Sequence, residues 1–335
     1  MTGSSEGKPP GLAAFQDIAS LREIRGELRD FLGDECVRRV HVQRPWLDLA
    51  IVFATLGTFA LNLVVLGFFQ LNALLTLALV LVQGWLITLM GLICHDVFVH
   101  RMMFRGKLGH LLASLLFIPA TVPFTKYRIG HLRHHAHIGT EADTERYKQD
   151  LNTGWRRILF TTVFGFKAAT SGRWSSQTEH GYQGLIGADT GEARSAKLEM
   201  LGVLAMVIAV LAISVFYSWK IFVFGWLLPV LLVAPLLNTA RIIIEHAHVD
   251  PENKYWLATP YKTGVFSKVI FLADSGDCHI LHHIFPRVPW YGMAELVRAS
   301  APFFRERGVV YEGGYLRLLK GWFIDVYPHR SKWVL

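Results

Sequence analysis

Four apolar runs, each long enough to cross a hydrocarbon layer, limit what this chain can fold into. They lie at residues 47–69, 72–94, 198–218 and 221–243. A helix of about 20 apolar residues spans a bilayer core. Inside that core the backbone must satisfy its own hydrogen bonds, which leaves helices as the solution for runs of this length. The uncharged link Phe69-Gln70-Leu71-Asn72 joins the first pair, and a short stretch near Trp219-Lys220 joins the second. Links this short are turns, so the runs pair as two helical hairpins. Hydrophobic residues make up 52% of the chain and charged residues 18%, which fits a polytopic membrane protein with substantial water-facing parts.

Basic residues set the sides. Arg101, Arg105, Lys107, Lys126, Arg128, Arg133, Arg146, Lys148, Arg156 and Arg157 follow the first hairpin, and neither hairpin turn has anything comparable. The positive-inside tendency then puts both termini and the inter-hairpin region in the cytosol. The expected organisation is a cytosolic N-terminal segment (1–46), a first hairpin (47–96) and a cytosolic and interfacial region (97–197). A second hairpin (198–243) and a cytosolic C-terminal region (244–335) follow. The net charge of +8 has its explanation in this asymmetry, and no nucleic-acid partner is expected. The inner membrane of a bacterium is the expected location.

Several segments carry less information. Ile18, Leu21, Ile24, Leu28 and Leu32 recur at helical spacing and predict an amphipathic helix over 19–36, lying on the membrane surface or on the protein itself. The apolar stretch 108–124 contains Pro119 and Pro123 and is expected to be re-entrant or interfacial, because a full crossing would put His95 and His131 on opposite faces. Residues 155–169 suggest another surface-lying segment, and 171–195 a Gly-rich loop. Cys36, Cys94 and Cys278 show no disulfide or zinc spacing, and the last two read as buried thiols. No cleavable signal peptide is visible at the start of the chain.

The chemistry lies in three histidine groups: His95/His100, His131/His134/His135 and His279/His282/His283. Positions i, i+3 and i+4 share one helix face, so the second and third groups each project together. His95 and His100 are five residues apart, a rotation of about 140° in an α-helix. They converge only on a site between them, or if the helix loosens near Val99. His246, in Glu245-His246-Ala247-His248, emerges after the fourth run as His95 does after the second, and is a ninth candidate ligand. His248 would face elsewhere on a continuous helix. Isolated His41, His110 and His180 read as surface or packing residues.

Nine imidazoles on one membrane face exceed the needs of one ion and suit two first-row metal ions. Zinc usually takes four ligands in total and copper also accepts imidazole. The absence of a thiolate pattern favours iron. Asp96, Asp143, Glu245, Asp250, Asp274 and Asp277 lie beside the histidines and are read as hydrogen-bond partners or helix caps, with none assigned as a ligand. A metal transporter would carry ionisable residues through its spans, whereas these spans are nearly free of them.

The boxes HxxxxH at His95/His100 and HxxHH at His131 and at His279 resemble those of the membrane fatty acid desaturase superfamily. The run from Gly276 to Pro289 resembles the family's C-terminal signature, and the likeness covers roughly 45–305. The first box has four intervening residues where three are more common. His137 follows the second box, and Glu245-His246-Ala247-His248 is unusual. The resemblance implies an all-α polytopic membrane protein, with four transmembrane helices in two hairpins under a cytosolic helical metal-binding cap. It implies a non-haem diiron centre that uses O2 to remove hydrogen from an unactivated C–H bond. The nine metal-binding and catalytic residues would be His95, His100, His131, His134, His135, His246, His279, His282 and His283. Desaturation of a fatty acid or acyl lipid is the leading outcome. Oxidative decarboxylation of free fatty acids to terminal alkenes, and lipid or carotenoid hydroxylation or ketolation, are alternatives. No haem, flavin or iron–sulfur motif is visible, so electrons are expected from an external ferredoxin- or cytochrome-type protein. Arg101, Lys126, Arg128 and Arg241 are candidate contacts for a substrate headgroup, or else interfacial anchors, as Trp256, Trp290 and Tyr291 could be.

Overall fold

A computed structural model of the protein describes residues 19–101, 103, 106–138, 143, 191–246, 254–259, 264–272 and 278–309. Among the described residues all regular structure is helical. Helices α1 (Ala19–Val40), α2 (Pro45–Phe68) and α3 (Ala73–Ile93) are followed by α4 (Lys107–Phe117) and α5 (Phe124–His137). Beyond the next described break come α6 (Gly191–Phe216), α7 (Trp219–Phe222) and α8 (Ala234–His246). Three further helices complete the set: α9 (Val265–Ile270), α10 (His279–Ile284) and α11 (Trp290–Glu306).

Among the described residues, four helical rods are long and apolar enough to cross a membrane: Pro45–Phe68, Ala73–His100, Gly191–Phe216 and Trp219–Arg241, with mean hydropathy between 2.2 and 2.5. The chain is an integral membrane protein, paired into hairpins as the short links require. Pro45 opens α2, where its fixed φ suits a first turn. Asn72 caps α3, its Oδ1 accepting from the backbone N of Leu75 at 2.8 Å. The third rod begins at Gly191, so residues 191–195 are helical and not part of the expected Gly-rich loop, the rest of which lies outside the described residues. In the fourth, wide π turns over Val223–Leu227 and Pro229–Val233 join α7 to α8. Pro229 has no N–H and would clash inside a tight α-turn, and the widened turns relieve that conflict.

Inside hydrocarbon an unpaired amide is costly. Asn62 of α2 therefore donates to Gln83 Oε1 of α3 at 2.7 Å and to the Leu79 carbonyl at 2.9 Å. The two hairpins meet where Gly84 faces Val233; a Cβ on Gly84 would fall 2.3 Å from that of Val233. Only glycine allows this approach, as is usual where transmembrane helices pack closely.

After α3, helices α4 and α5 form a sharp bend. Lys107–Ala120 and Phe124–His137 are bent by 97°. His95 and His131 end with their Nε2 atoms 2.9 Å apart, so no full crossing separates them.

Helix α1 lies over the end that carries the third histidine group. Its stripe is buried, with Ile24 and Leu28 at 0% exposure in the same core as Leu296, Val297 and Phe303 of α11. Arg25 Nε donates to the Ile284 carbonyl at 2.6 Å, tying α1 to α10. At the seam between α1 and α11, a Cβ on Gly292 would lie 2.4 Å from the backbone oxygen of Val40. A backbone oxygen has little room to yield. Gly292→Ala is expected to cost roughly 1–3 kcal/mol by overpacking. Thermal unfolding of the detergent-solubilised protein measures this, and an unchanged midpoint would count against such tight docking.

Candidate metal centre

The first box owes its geometry to a change of helix type. Where α3 ends, Cys94–His100 wind as a π-helix. Its i→i+5 repeat brings residues five apart onto one face. His95 and His100 accordingly have ring centroids 4.7 Å apart. This is the loosening that the five-residue spacing demands, extending over the whole box.

A π turn needs support, and Arg101 supplies it. Its guanidinium takes both Asp48 oxygens at 2.7 Å and Asp96 Oδ2 at 2.7 Å. Its Nε donates to the Asp96 carbonyl at 3.1 Å. Gln43 Oε1 accepts from it at 2.8 Å, and Trp290 Nε1 donates to Asp48 at 3.3 Å. Burial favours loss of the guanidinium charge, but the Asp96 and Asp48 carboxylates outweigh it and raise the Arg101 pKa. The side chain is 3% exposed and fully engaged, so Arg101 is a structural clamp and not a headgroup contact.

On α5, His131, His134 and His135 rise on one face; on α10, His279, His282 and His283 do the same. The histidines fall into two adjoining sets. His95, His100, His131, His135 and His282 each bring a ring nitrogen within 4.8 Å of the others. His131 Nε2 is the hub, 2.9 Å from His95 Nε2, 3.1 Å from His100 Nε2 and 2.9 Å from His135 Nε2. His282 Nε2 joins His135 Nε2 at 3.2 Å. The second set combines His134, His246 and His283 with Glu245, His246 and His279. The sets touch where the rings of His135 and His283 stack at 4.2 Å. All nine candidate histidines, eight found by spacing and His246 by its position, meet in one largely buried centre. His137 is outside these groups, as are the fully buried Cys94 and Cys278. His180, His248, Asp250, Asp274 and Asp277 lie outside the described residues.

The fatty acid desaturase family model matches residues 70–315, a span that contains every one of these histidines. The chain belongs to the fatty acid desaturase family. It is 26% identical over 251 residues to the bifunctional desaturase/conjugase FADX of Vernicia fordii, covering 66% of this chain and 64% of that protein. It is 26% identical over 257 residues to an endoplasmic reticulum omega-6 fatty acid desaturase (isozyme 2) of Glycine max, covering 67% and 66%. The sn-1 oleoyl-lipid 12-desaturase of Arthrospira platensis is 22% identical over 283 residues, covering 80% and 78%. The chain thus spans just under two thirds of the length of the two plant proteins.

The centre of this desaturase-family chain fits metal ions on its own chemistry. A neutral imidazole nitrogen carries one proton or one lone pair. His131 Nε2 therefore satisfies at most one of the three nitrogens packed around it. Ligands at right angles about a metal with bonds of about 2.1 Å stand about 3 Å apart, which matches these separations. Both ring nitrogens of His279 and Nδ1 of His135 are buried without a hydrogen-bond partner. Burial first, and neighbouring imidazoles second, hold His135, His279 and His282 well below the usual imidazole pKa. They are neutral at pH 7, the form that binds metal.

Asp143 Oδ1 lies 2.7 Å from His134 Nδ1, both buried, and fixes the tautomer that turns Nε2 toward the centre. Asp143→Asn is expected to weaken metal binding roughly 10- to 100-fold. Chelator competition reads this directly, and wild-type retention would sink the orienting role. Glu245 enters as a surprise. Its Oε1 pairs with Arg241 at 2.5 Å and lies 3.8 Å from His279 Nδ1, so a carboxylate borders the second set. The signal in the sequence is its position beside His246. With Arg101 and Arg241 paired to carboxylates, Lys126 is exposed and Arg128 keeps a buried Nε with no hydrogen-bond partner. Trp256 is a core residue, Trp290 holds Asp48, and the Tyr291 hydroxyl lies 3.5 Å from Arg101.

Proposed function

We propose that this protein is a membrane-bound, O2-dependent desaturase of a fatty acid or fatty acyl lipid. In this reading His95, His100, His131, His135 and His282 hold one iron ion, and His134, His246, His279 and His283 hold a second, bordered by Glu245. The observation that carries the proposal is the convergence of five imidazole nitrogens beside a second histidine set, at the ends of apolar helices. The names of the relatives, a desaturase/conjugase, an omega-6 fatty acid desaturase and an oleoyl-lipid desaturase, support an acyl substrate. Bound iron would supply the O2 chemistry that breaks unactivated C–H bonds. Desaturation converts CH2–CH2 to CH=CH while O2, two electrons and two protons become two waters. The electrons come from an external ferredoxin- or cytochrome-type protein. Basic residues flanking the spans favour a cytosolic active face, in a bacterial inner membrane.

The chain's own residues prepare the site. The buried imidazoles offer lone pairs without first losing protons. Arg101 holds the π turn in register, and Asp143 orients His134. An acyl chain reaches the centre from the bilayer, with its polar end near α5, where the buried Nε of Arg128 is available to an anionic group. Arg128→Ala is then expected to raise KM several-fold with kcat little changed. A fall in kcat at constant KM would argue against headgroup binding.

Cells expressing the protein are supplied with labelled saturated fatty acids, with a His134→Ala control, and products are resolved by mass. Enoates of unchanged length, absent in the control, are the expected outcome. Hydroxy acids, or alkenes one carbon shorter, would replace desaturation by hydroxylation or decarboxylation. Oxidised carotenoids alone would overturn the acyl substrate, and metal uptake into vesicles without O2 would mark a transporter.

A further inference from the structure

The second histidine box reaches the centre only because the chain turns by 97° between α4 and α5. The turn itself is weakly built. Ile118–Ala120 make a single 3-10 turn, Thr121 sits at a φ of 60°, and Pro123 caps α5 without any side-chain hydrogen bond. The first N–H groups of a helix need acceptors and carry partial positive charge.

Their acceptor comes from a different helix. Glu199 of α6 puts Oε2 2.9 Å from the backbone N of Thr125 and Oε1 2.8 Å from the Thr125 hydroxyl. The same Oε1 accepts from Ser114 of α4 at 3.1 Å and lies 2.7 Å from His110 Nε2, also on α4. One carboxylate therefore grips both arms of the bend. It is 8% exposed and lies in the rod Gly191–Phe216, where an ionisable residue is costly unless it has a role. Of the surface and packing roles expected for it, His110 thus takes the packing one. Trp226 of the fourth rod secures the bend from another direction, donating to the Pro119 carbonyl at 3.0 Å.

We propose that Glu199 is a positioning residue for the metal centre, stapling the α4–α5 bend from a transmembrane helix and so setting where His131, His134 and His135 stand. The inference rests on the reading of those histidines as iron ligands. His131 follows Thr125 by less than two helical turns, so a tilt at the start of α5 moves its ring. His131 and His135 belong to the five-imidazole set and His134 to the other, so both sets feel the displacement.

The test uses the full chain in lipid nanodiscs, loaded with isotopically enriched ferrous iron. Glu199→Leu removes the acceptor, whereas Glu199→Gln keeps one for the Thr125 N–H. Asn62→Leu, which cuts hydrogen bonds within the first hairpin, controls for general loss of stability. Glu199→Leu is expected to weaken iron binding on the order of tenfold in chelator competition and to shift the ferrous magnetic circular dichroism bands. Glu199→Gln should recover most of the affinity and the wild-type bands. Asn62→Leu should lower the melting temperature and leave affinity and bands alone. If Glu199→Leu lowers only the melting temperature, Glu199 is merely structural and the proposal is overturned. If that variant does not fold, the double variant His110→Ala/Ser114→Ala decides, since it removes the α4 side of the staple and leaves Thr125 capped. Wild-type bands in that double variant overturn the proposal. A wild-type protein without iron defeats the metal reading itself, before any variant is compared.

Discussion

His282→Ala is expected to leave about one iron per chain against about two expected in the wild type, and to cut acyl oxidation by on the order of 10³ or more. His282 closes the five-imidazole set, with its Nε2 3.2 Å from His135 Nε2. Its ring also lies 4.6 Å from that of His95 and 4.7 Å from that of His100, so it bridges the third box to the first. Alanine there removes a nitrogen and opens a space that water can enter. The paired variant His134→Ala acts on the other set, with the same loss of turnover. Comparable iron loss from two residues on different helices is expected only if both sets hold metal. Arg29→Ala is the surface control, because an exposed pair such as Arg29–Asp34 contributes little. Iron content by elemental analysis, read beside turnover, separates ligand loss from misfolding. Near-normal turnover in both histidine variants would contradict the assignment.

Arg101→Met is expected to destabilise the protein by roughly 3–5 kcal/mol, because removing one member of a buried ionic cluster leaves the rest uncompensated. Asp48 and Asp96 are 1% and 4% exposed, and Arg101 is the cation that neutralises both. The damage reaches the centre, since Arg101 follows His100 directly and its Nε holds the Asp96 carbonyl inside the π turn. Iron should therefore be lost from the five-imidazole set along with thermal stability. The triple variant Arg101→Met/Asp48→Asn/Asp96→Asn removes the stranded charges and should regain much of the stability. It should not regain the iron, because the turn still lacks its clamp. Chemical unfolding in detergent and iron analysis check both parts. An Arg101→Met protein of wild-type stability would show that the cluster is not needed.

Features carried by local spacing are legible in the sequence. The hairpins follow from apolar length and short links, and two of the histidine boxes from the i, i+3, i+4 repeat. The five-residue box is legible as a conflict with α-helical pitch, and a π turn resolves it. What stabilises that turn is not legible, because Asp48 lies 53 residues from Arg101 and nothing local pairs them. Arg101 reads from the sequence as one more interfacial cation. Glu199 is hidden for the same reason, being 74 residues from the Thr125 backbone it caps. The stripe on α1 shows an apolar face, but a membrane and a protein core both offer apolar surface, and only packing against α11 distinguishes them. His246 is legible by its place after the fourth run, whereas Glu245 is one more acidic residue among several until the fold brings it beside His279.

The most direct test of the central claim is Mössbauer spectroscopy of the wild-type protein grown on isotopically enriched iron, before and after O2 and reductant are supplied with an acyl substrate. The account predicts about two non-haem iron ions per chain in nitrogen-rich, inequivalent environments, reflecting the five-imidazole and four-imidazole sets. It also predicts that the spectrum of the reduced, ferrous protein changes when O2 is admitted. A protein that contains zinc, or a single iron whose spectrum ignores O2, would contradict it.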